Sequence, residues 1–380
     1  GNLFFEGSDD LVWDNPYLIL ERAGIKIGII GLHGKFAFYD TINFKMTEGI
    51  EARDEEEYLR QYIKELEPIT DIIILAVHQG MPGRQSTIGL TDVERNLYKD
   101  ILLAQNVPGV DIIVTGHAHQ GTEKALVSNG TIIVSTNATA TELGKLQVMF
   151  DTEKKKIVSH SNELITIYDD ELEDDADMLR EITFWQKEVD QVAKVPIVSS
   201  TKKLVRAYGK ESNMGNLFAD AIEAFDPRID IAVVNSGALR QDIKPGTVTK
   251  GDLISAFPFP NTVVMTKLKG SQVVKIFNHA AGMTNGILQV SKNAKYSFSP
   301  RNKAHEIWIK GKPLKNDDEY WVAAPNFVTQ GGDGYWEFQN SIEYIDTGVL
   351  IVDAAEYFLQ DMEVYEPKYE GRVLVIDSEI

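Results

Sequence analysis

Three histidines follow two apolar stretches of the chain and could hold a metal ion. His78 comes directly after the mostly apolar residues 71–77, and His117 and His119 come just after the mostly apolar residues 110–115. Continuous apolar runs of this length, bounded by turn residues, are typical of strands buried on both faces of a parallel sheet. Ligands bind beyond the carboxyl ends of such strands. The sequence therefore predicts three imidazole rings at a ligand-binding edge of a sheet.

A structural role is the alternative for each of these histidines. A single histidine after a strand is more often structural than ligating, and this alternative holds for His78 taken alone. The spacing of His117 and His119 is more informative, because residues i and i+2 of an extended loop face the same way. We therefore predict a metal site formed by His117 and His119 together with His78. The other four histidines are interpreted as structural: His33, His160, His279 and His305.

The composition limits the class of protein and its partners. A chain of 380 residues is too long for one ordinary core, so two domains are expected. The net charge of −19, from 38 basic and 57 acidic residues, argues against nucleic acid or an anionic membrane as the main partner. With no cysteine, the chain has no disulfide, thiolate zinc ligand or cysteine nucleophile. No stretch approaches the ~20 apolar residues of a membrane helix, and the oligomeric state stays open.

The first domain is expected to cover residues 1–168 as an α/β layered structure, because strand and helix patterns alternate along it. Its strands are predicted at residues 24–31, 71–77, 110–115, 131–135 and 145–150. The last two of these strands are expected to be antiparallel. Helices are predicted over 51–66 and 91–105, and Thr91 and Glu94 have the spacing of a capping box.

A linker and a second domain follow. Residues 169–194 combine an acidic run with an apolar-periodic helix over 178–193, which predicts a solvated connecting helix. Residues 195–380 are expected to form a second α/β domain. Its clearest elements are helices over 213–224 and 270–281 and a strand over 229–235.

Three loop segments of the second domain carry the residue types of a nucleotide site. Arg240 follows a strand that ends at Asn235, and Phe259 lies in a turn stiffened by prolines. Phe327 precedes Asp333 across a pair of glycines. An arginine for phosphate, two aromatic rings for a stacked base and a carboxylate for ribose hydroxyls make up such a site. Each aromatic residue alone is more often part of the core, so the prediction depends on all three segments together.

These segments resemble signatures of the 5′-nucleotidase family of metallophosphoesterases, which includes UDP-sugar hydrolases and ecto-5′-nucleotidases. Residues 116–119 resemble its Gly-His-X-His metal motif, and residues 210–217 resemble the segment that opens its C-terminal domain. The resemblance extends over nearly the whole chain. It implies a calcineurin-like metallophosphoesterase domain joined by a helix to a C-terminal α/β substrate-binding domain. It also implies His78, His117 and His119 as ligands of divalent metal ions, two in the complete centre, such as zinc or manganese.

The same resemblance assigns residues to the parts of a bound nucleotide. Phe259 and Phe327 would sandwich the base with Asn261 nearby, and Asp333 would bind the ribose. The phosphate side would be held by residues of two loops: Lys210, Asn235, Gly237 and Arg240. Lys210 stands where the family often has arginine, so it offers a point charge in place of a bidentate fork. Pro260 stands where the family has glycine, and two glycines of the family's Arg240 loop are absent from residues 235–238.

The activity that the resemblance implies is hydrolysis of a nucleoside 5′-monophosphate to nucleoside and phosphate, a reaction of nucleotide catabolism catalysed by a phosphoric ester hydrolase. Two alternatives stay open. One is a 2′,3′-cyclic nucleotide phosphodiesterase with 3′-nucleotidase activity, a branch that tends to have tyrosines where this chain has Phe259 and Phe327. The other is a nucleotide-binding protein with an incomplete catalytic centre.

The family's first metal segments do not occur in this sequence. They are Asp-X-His, Gly-Asp and Gly-Asn-His-Glu, and the last of them carries the catalytic histidine. We therefore expect the chain to lack its N-terminal metal-binding segment. The cause would be the choice of polypeptide ends, processing or natural loss. No signal sequence is visible, and the resemblance implies export to the periplasm, the cell surface or the medium.

Overall fold

The computed structural model describes residues 1–42, 46–79, 90–168, 170, 172–283, 286–299 and 304–376. These residues form two compact units, the first extending from Gly1 to Glu173 and the second beginning at Asp174. The finer boundaries of the predicted domains and linker stay a prediction. No helix within the described ranges is long and apolar enough to cross a membrane.

The first unit contains alternating strands and helices. Its strands are β1 (Leu3–Phe5), β2 (Tyr17–Arg22), β3 (Ile25–His33), β4 (Ile50–Ala52), β5 (Ile72–His78), β6 (Ile112–Gly116), β7 (Leu126–Ser128), β8 (Thr131–Val134), β9 (Glu142–Asp151) and β10 (Lys156–Thr166). Its helices are α1 (Lys35–Thr41), α2 (Glu55–Leu66), α3 (Asp92–Asn96) and α4 (Tyr98–Asn106). The strands β1 and β4 pair with each other, and β9 and β10 form an antiparallel hairpin.

A six-stranded sheet positions the histidines of the first unit. Its order is β2-β3-β5-β6-β8-β7, with four parallel central strands and an antiparallel strand at each edge. One face of the sheet packs against α2 and α4, where Ile30, Leu75 and Ile113 are completely buried. Because the central strands are parallel, their carboxyl ends meet at one edge. The predicted parallel strands are thus confirmed and bring their terminal residues together, but they are not buried on both faces, because Ala76 of β5 and Val114 of β6 are exposed.

Three details of the first unit differ from the predictions. The helix expected from residue 51 begins at Glu55, because Asp54 caps it by accepting two backbone N–H groups and the preceding residues form β4. The helix expected over 91–105 is interrupted at Leu97, although the Thr91–Glu94 capping box forms as predicted. The strand predicted over 131–135 is β8, which is parallel to β6 and antiparallel only to the short edge strand β7. The prediction of an antiparallel strand at 145–150 is confirmed by β9.

The second unit begins with a long solvated helix and continues as an α/β structure. Its helices are α5 (Ala176–Ala193), α6 (Asn213–Phe225), α7 (Lys250–Ala256), α8 (Gly270–Gly282), α9 (Asn326–Thr329) and α10 (Ile351–Gln360). Its strands are β11 (Pro196–Ser200), β12 (Ile231–Asn235), β13 (Gly246–Thr249), β14 (Thr262–Lys269), β15 (Leu288–Val290), β16 (Ala294–Phe298), β17 (Ala304–Ile309), β18 (Lys312–Pro313), β19 (Glu319–Pro325), β20 (Glu343–Leu350), β21 (Val364–Tyr365) and β22 (Val373–Val375). The elements predicted near 178–193, 213–224, 229–235 and 270–281 correspond to α5, α6, β12 and α8.

A five-stranded sheet forms the centre of the second unit, in the order β15-β12-β19-β14-β20. Helices α6, α7 and α10 cover one of its faces, and α8 contributes to the core on the other. Alternation along β12 divides its side chains between the two cores, with Val234 in the first and Val233 in the second, both completely buried. Sheets β13-β11-β21 and β18-β17-β16-β22 lie beside this layer within the same unit.

Candidate functional site

The first unit brings His78 and His117 into direct contact at the carboxyl end of its parallel sheet. The Nε2 atom of His78 lies 3.0 Å from Nδ1 of His117, and the two ring centroids are 4.8 Å apart. His117 and His119 both have positive φ values, 83° and 54°. A non-glycine residue in the left-handed region costs of order 1–3 kcal/mol and is often found at functional sites. The turn therefore holds both histidines in a backbone conformation that is uncommon for residues other than glycine.

His33 lies beside His78, a proximity that its interpretation as a structural residue did not include. Its ring centroid lies 5.3 Å from that of His78, because β3 and β5 pair in register at these two residues. The backbone carbonyl of Gly34 lies 3.0 Å from His33 Nδ1, which orients the ring. The signal was present in the sequence, since the apolar residues of β3 also end in a histidine.

The surroundings of His78 favour its neutral form. Burial lowers the pKa of His78, and the neighbouring imidazoles of His33 and His119 lower it further. Neutral imidazole is the form that binds metal ions. The three predicted ligands are therefore close enough to influence one another, and their assignment as ligands stays a prediction.

The described residues provide imidazole groups without the rest of a metal centre. No group of three or more histidine, aspartate or glutamate side chains within these ranges is arranged to hold a metal ion. A two-metal phosphoesterase centre needs carboxylates as well, to hold two ions roughly 3.5–4 Å apart. The His78–His117 pair fits part of such a ligand set, and a two-metal centre does not fit on the described residues alone.

A buried carboxylate, Asp100 of α4, connects the ends of the two histidine strands. It is 2% exposed and accepts hydrogen bonds from Gln79 Nε2, at 3.3 Å, and from the hydroxyl of Thr115. Gln79 follows His78, and Thr115 comes two residues before His117. The sequence alone did not reveal Asp100, although an aspartate on the buried side of an amphipathic helix is itself unusual.

Asp100 should make the stability of the first unit depend on pH. Burial raises the pKa of Asp100 to about 6, against the opposing hydrogen bonds from Thr115 and Gln79. Because the folded state holds this proton more tightly than the unfolded chain does, the contribution of Asp100 to stability is present at low pH and is lost as the pH rises through about 6. The free energy of unfolding of Asp100→Asn, measured relative to that of wild type, should therefore rise by on the order of 3 kcal/mol from about pH 4 to about pH 7. Urea unfolding at both pH values measures this gain.

The matched control for Asp100 is Asp14→Asn, which changes an exposed carboxylate of the same unit. It should show no such gain over the same pH interval. A difference between wild type and Asp100→Asn that is independent of pH would contradict the prediction.

The second unit collects its predicted nucleotide residues at one edge of the five-stranded sheet. Strands β12 and β19 are parallel and end there, at Asn235 and Pro325. Strand β14 begins at the same edge, since Val263 pairs with Pro325. The loops at these strand ends carry the predicted arginine, phenylalanines and aspartate. The carboxyl ends of parallel strands are the usual place for ligands in such sheets.

Asn235 and Asp333 contact each other directly at this edge. Nδ2 of Asn235 donates to Oδ2 of Asp333 over 2.9 Å, and Nε2 of His279 donates to the backbone carbonyl of Asp333 over 2.8 Å. Asp333 has a φ of 54°, a conformation supported by left-handed glycines on either side, Gly331 and Gly334. Oδ1 of Asn235 is buried and has no hydrogen-bond partner among the described residues. An unsatisfied buried acceptor costs about 1–3 kcal/mol, so a donor from a ligand would stabilise it.

Phe259 and Arg240 form a second pair at the edge. The guanidinium carbon of Arg240 lies 5.3 Å from the Phe259 ring centroid, within the range of a cation–π contact. Phe259 is 38% exposed, whereas Phe257, two residues earlier, is completely buried. Phe257 is therefore the core residue of this segment, whereas the Phe259 ring is accessible to a ligand.

Phe327 is half-buried and is held in place by its neighbours. A Cβ atom at Gly332 would lie 2.5 Å from the Phe327 ring, so only glycine fits beside it. Oδ1 of Asn326 accepts the backbone N–H of Phe327 at 2.9 Å and that of Thr262 at 3.3 Å, which ties α9 to the start of β14. The sequence did not single out Asn326. Asn261, which precedes Thr262, is buried at the same edge.

Lys210 and Gly237 lie in the two loops predicted to hold phosphate. Lys210 is exposed in the segment before α6, and Gly237 lies in a short 3-10 turn, Ser236–Ala238. The buried carboxylate of Glu211 accepts the backbone N–H groups of Glu370 and Gly371 at 2.7 and 2.9 Å. The Lys210 loop is thus anchored to the C-terminal segment. The roles of these loops in binding phosphate stay predictions.

Comparison with known proteins finds similar sequences for both units. Residues 191–340 match the family model described as 5′-nucleotidase, C-terminal domain. The trifunctional nucleotide phosphoesterase protein YfkN of Bacillus subtilis is 26% identical over 388 residues, which are 94% of the chain and 25% of YfkN. A 5′-nucleotidase of Vibrio cholerae is 26% identical over 91% of the chain and 68% of its own length. The chain thus spans a quarter of one relative and about two thirds of the other.

A solved structure shows the same fold. The crystal structure of a 5′-nucleotidase precursor from Thermus thermophilus matches with a TM-score of 0.84 at 22% identity, covering 100% of the chain and 78% of that protein. The predicted α/β fold class is therefore confirmed, and the names of the relatives agree with nucleotide phosphate ester hydrolysis as the predicted reaction. Residues 191–340 are thus similar to the C-terminal domain of 5′-nucleotidases, and nearly the whole chain is similar to proteins named as nucleotide phosphoesterases.

Proposed function

We propose that this protein hydrolyses nucleoside 5′-monophosphates to the nucleoside and inorganic phosphate. The observation that carries the proposal is the sheet edge of the second unit, where the buried Asn235 and the half-buried Asp333 lie among loops that present Arg240 and Phe259. A carboxylate, an unsatisfied amide oxygen, an accessible ring and an exposed guanidinium are complementary to ribose hydroxyls, a base and a phosphate. The names of the relatives support a nucleotide as substrate.

Each group of the proposed site has a separate role. The rings of Phe259 and Phe327 would stack on the base, and Asn261 would lie near the base edge. Asp333 would accept hydrogen bonds from the ribose while Asn235 holds its carboxylate in place. Lys210, Gly237 and Arg240 would meet the phosphate. The acidic balance of the whole chain makes this local positive charge important, because the surrounding field repels an anionic substrate.

The proposed hydrolysis requires divalent metal ions. We propose divalent ions such as zinc or manganese, two in the complete centre, with His78, His117 and His119 as the ligands that this chain contributes. Family resemblance also supports export to the periplasm, the cell surface or the medium.

A nucleotide-binding protein with an incomplete catalytic centre is the second candidate. The observation that favours it is the incomplete set of metal ligands among the described residues, described above. On this alternative, the second unit binds a nucleotide in the same way and no phosphate is released.

One set of measurements separates these candidates. The purified chain is supplied with zinc or manganese and incubated with AMP or with 2′,3′-cyclic AMP, and phosphate and nucleoside products are quantified beside calorimetric titration with AMP. Phosphate and adenosine from AMP support the proposed hydrolysis, and 3′-AMP from the cyclic substrate supports the phosphodiesterase alternative. Binding without any release supports the second candidate, and neither binding nor release would overturn both.

The aromatic residues provide a direct test of base recognition. Phe259→Ala and Phe327→Ala should each weaken adenosine binding by about 1–3 kcal/mol, which is typical of one aromatic ring stacked on a base. The matched control is Phe225→Ala, because this α6 residue is 37% exposed, much like Phe259. Calorimetry with adenosine is the measurement. Unchanged affinity in both site variants would place the base elsewhere.

A further inference from the structure

The completely buried side chain of Gln289 connects the two loops proposed to hold phosphate. Its Nε2 atom donates to the backbone carbonyl of Lys210 over 3.0 Å and to the hydroxyl of Ser236 over 2.8 Å. Its Oε1 atom accepts the backbone N–H of Ser212 over 2.9 Å. Nε2 also lies 3.4 Å from the backbone carbonyl of Ala207, so one amide group in β15 contacts the Lys210 loop three times and the turn after β12 once.

The hydrogen-bond partners of Gln289 allow only one orientation of its side-chain amide. The N–H of Ser212 can only donate and the carbonyl of Lys210 can only accept, so the amide oxygen and nitrogen are assigned by their partners. The Ser236 hydroxyl donates to the carbonyl of Ile287 over 2.7 Å, so it accepts from Gln289. A Cβ atom at Gly215 would lie 2.4 Å from Cγ of Gln289. The first turn of α6 therefore leaves space for the Gln289 side chain only because residue 215 is glycine.

The contact that Gln289 makes between the two loops matters because each loop carries an exposed cationic side chain. Lys210 and Arg240 are exposed, and both lie outside the helices and strands. Two cations can bind one phosphate only if their loops keep a set distance. Glutamine supplies both a donor and an acceptor for this purpose without adding a charge beside an anion.

We infer that Gln289 is a positioning residue that holds the Lys210 loop against the Ser236 turn, so that Lys210 and Arg240 meet the same phosphate group. This inference rests on the proposed function for its phosphate part. Gln289 is completely buried, so it acts through the two loops and does not touch the nucleotide.

Substitution of Gln289 tests the inference through the difference between two ligands. Gln289→Leu removes all of these hydrogen bonds, and Gln289→Glu keeps the acceptor for Ser212 but loses the Nε2 donor. Calorimetric titration should show AMP affinity reduced by about tenfold or more in both variants, with adenosine affinity changed by less than about threefold, which corresponds to about 1.4 and 0.7 kcal/mol. Equal loss for the two ligands, or unchanged AMP affinity, would overturn the inference.

The matched control is Ser291→Ala, which lies two residues along the chain. Ser291 is completely buried, and its hydroxyl accepts the backbone N–H of Ala232 over 2.9 Å. The control should not separate AMP from adenosine. If Gln289→Leu does not fold, Ser236→Ala removes only the hydroxyl end of the bridge and should produce a smaller effect of the same kind.

Hydrogen exchange separates failure of this inference from failure of the proposed function. In Gln289→Leu, the amides of residues 207–212 should exchange faster without any ligand, because the Ser212 N–H has lost its acceptor. Unchanged exchange would overturn the positioning role whatever the ligand data show. If the parent chain binds AMP no better than adenosine, the proposed phosphate site is wrong. Faster exchange in Gln289→Leu would then still support the contact between the loops.

Discussion

Replacement of Asp333 by alanine is expected to weaken adenosine binding by about 1.5–3 kcal/mol, because hydrogen bonds to a charged acceptor are lost. The same change removes the carboxylate that accepts from Asn235 Nδ2, and Oδ1 of this buried amide already lacks a partner within the described structure. A stability loss of about 1–3 kcal/mol is therefore expected as well. Calorimetry and urea unfolding measure the two effects separately.

The conservative variant and a modified ligand distinguish recognition from folding. Asp333→Asn keeps an acceptor for Asn235, and asparagine tolerates the positive φ of this position better than most residues do. It should recover most of the stability but only part of the affinity. Wild type should bind 2′,3′-dideoxyadenosine more weakly than adenosine, whereas Asp333→Ala should bind the two about equally. If Asp333→Ala keeps the preference of wild type for adenosine, then Asp333 does not bind the ribose.

The strands that carry the histidines could be predicted because their evidence is local. Each apolar run is contiguous in sequence, and parallel pairing then places all strand ends at one edge. The proximity of His33 to His78 was not predicted, because a histidine at the end of an apolar run was judged from its immediate neighbours in the sequence. Its significance arises only from the register that pairs it with His78.

The residues that position the site could not be found from local patterns. Gln289 contacts loops that are 77 and 53 residues away along the chain, and Asp100 meets Gln79 across 21 residues. Such contacts depend on which elements pack together, and a buried amide or carboxylate has no sequence signature of its own. The parallel pairing of β8 with β6 was not predicted for the same reason, because a short strand carries no local record of its partner.

Arg240 should act mainly on the phosphate of a bound nucleotide. Arg240→Ala is expected to weaken AMP binding by about 1.5–3 kcal/mol, the usual worth of a hydrogen bond to a charged group. Adenosine should lose no more than about 1 kcal/mol, through the exposed cation–π contact with Phe259. Arg240→Lys keeps the positive charge but loses the bidentate geometry of the guanidinium group. Its AMP affinity should therefore lie between those of wild type and Arg240→Ala. Parallel calorimetric titrations with AMP and adenosine measure these differences.

The backbone of Arg240 makes a folding explanation testable in the same experiment. Its N–H donates to the carbonyl of Ala256 over 2.8 Å and its carbonyl accepts from Arg206, contacts that a side-chain substitution leaves in place. The matched control is Arg228→Ala, which removes another exposed arginine that lies 5.5 Å from an aromatic ring, that of Trp321. This control should affect neither ligand. An equal loss of AMP and adenosine in Arg240→Ala would mean that the loop has changed shape and that the phosphate is bound by other groups.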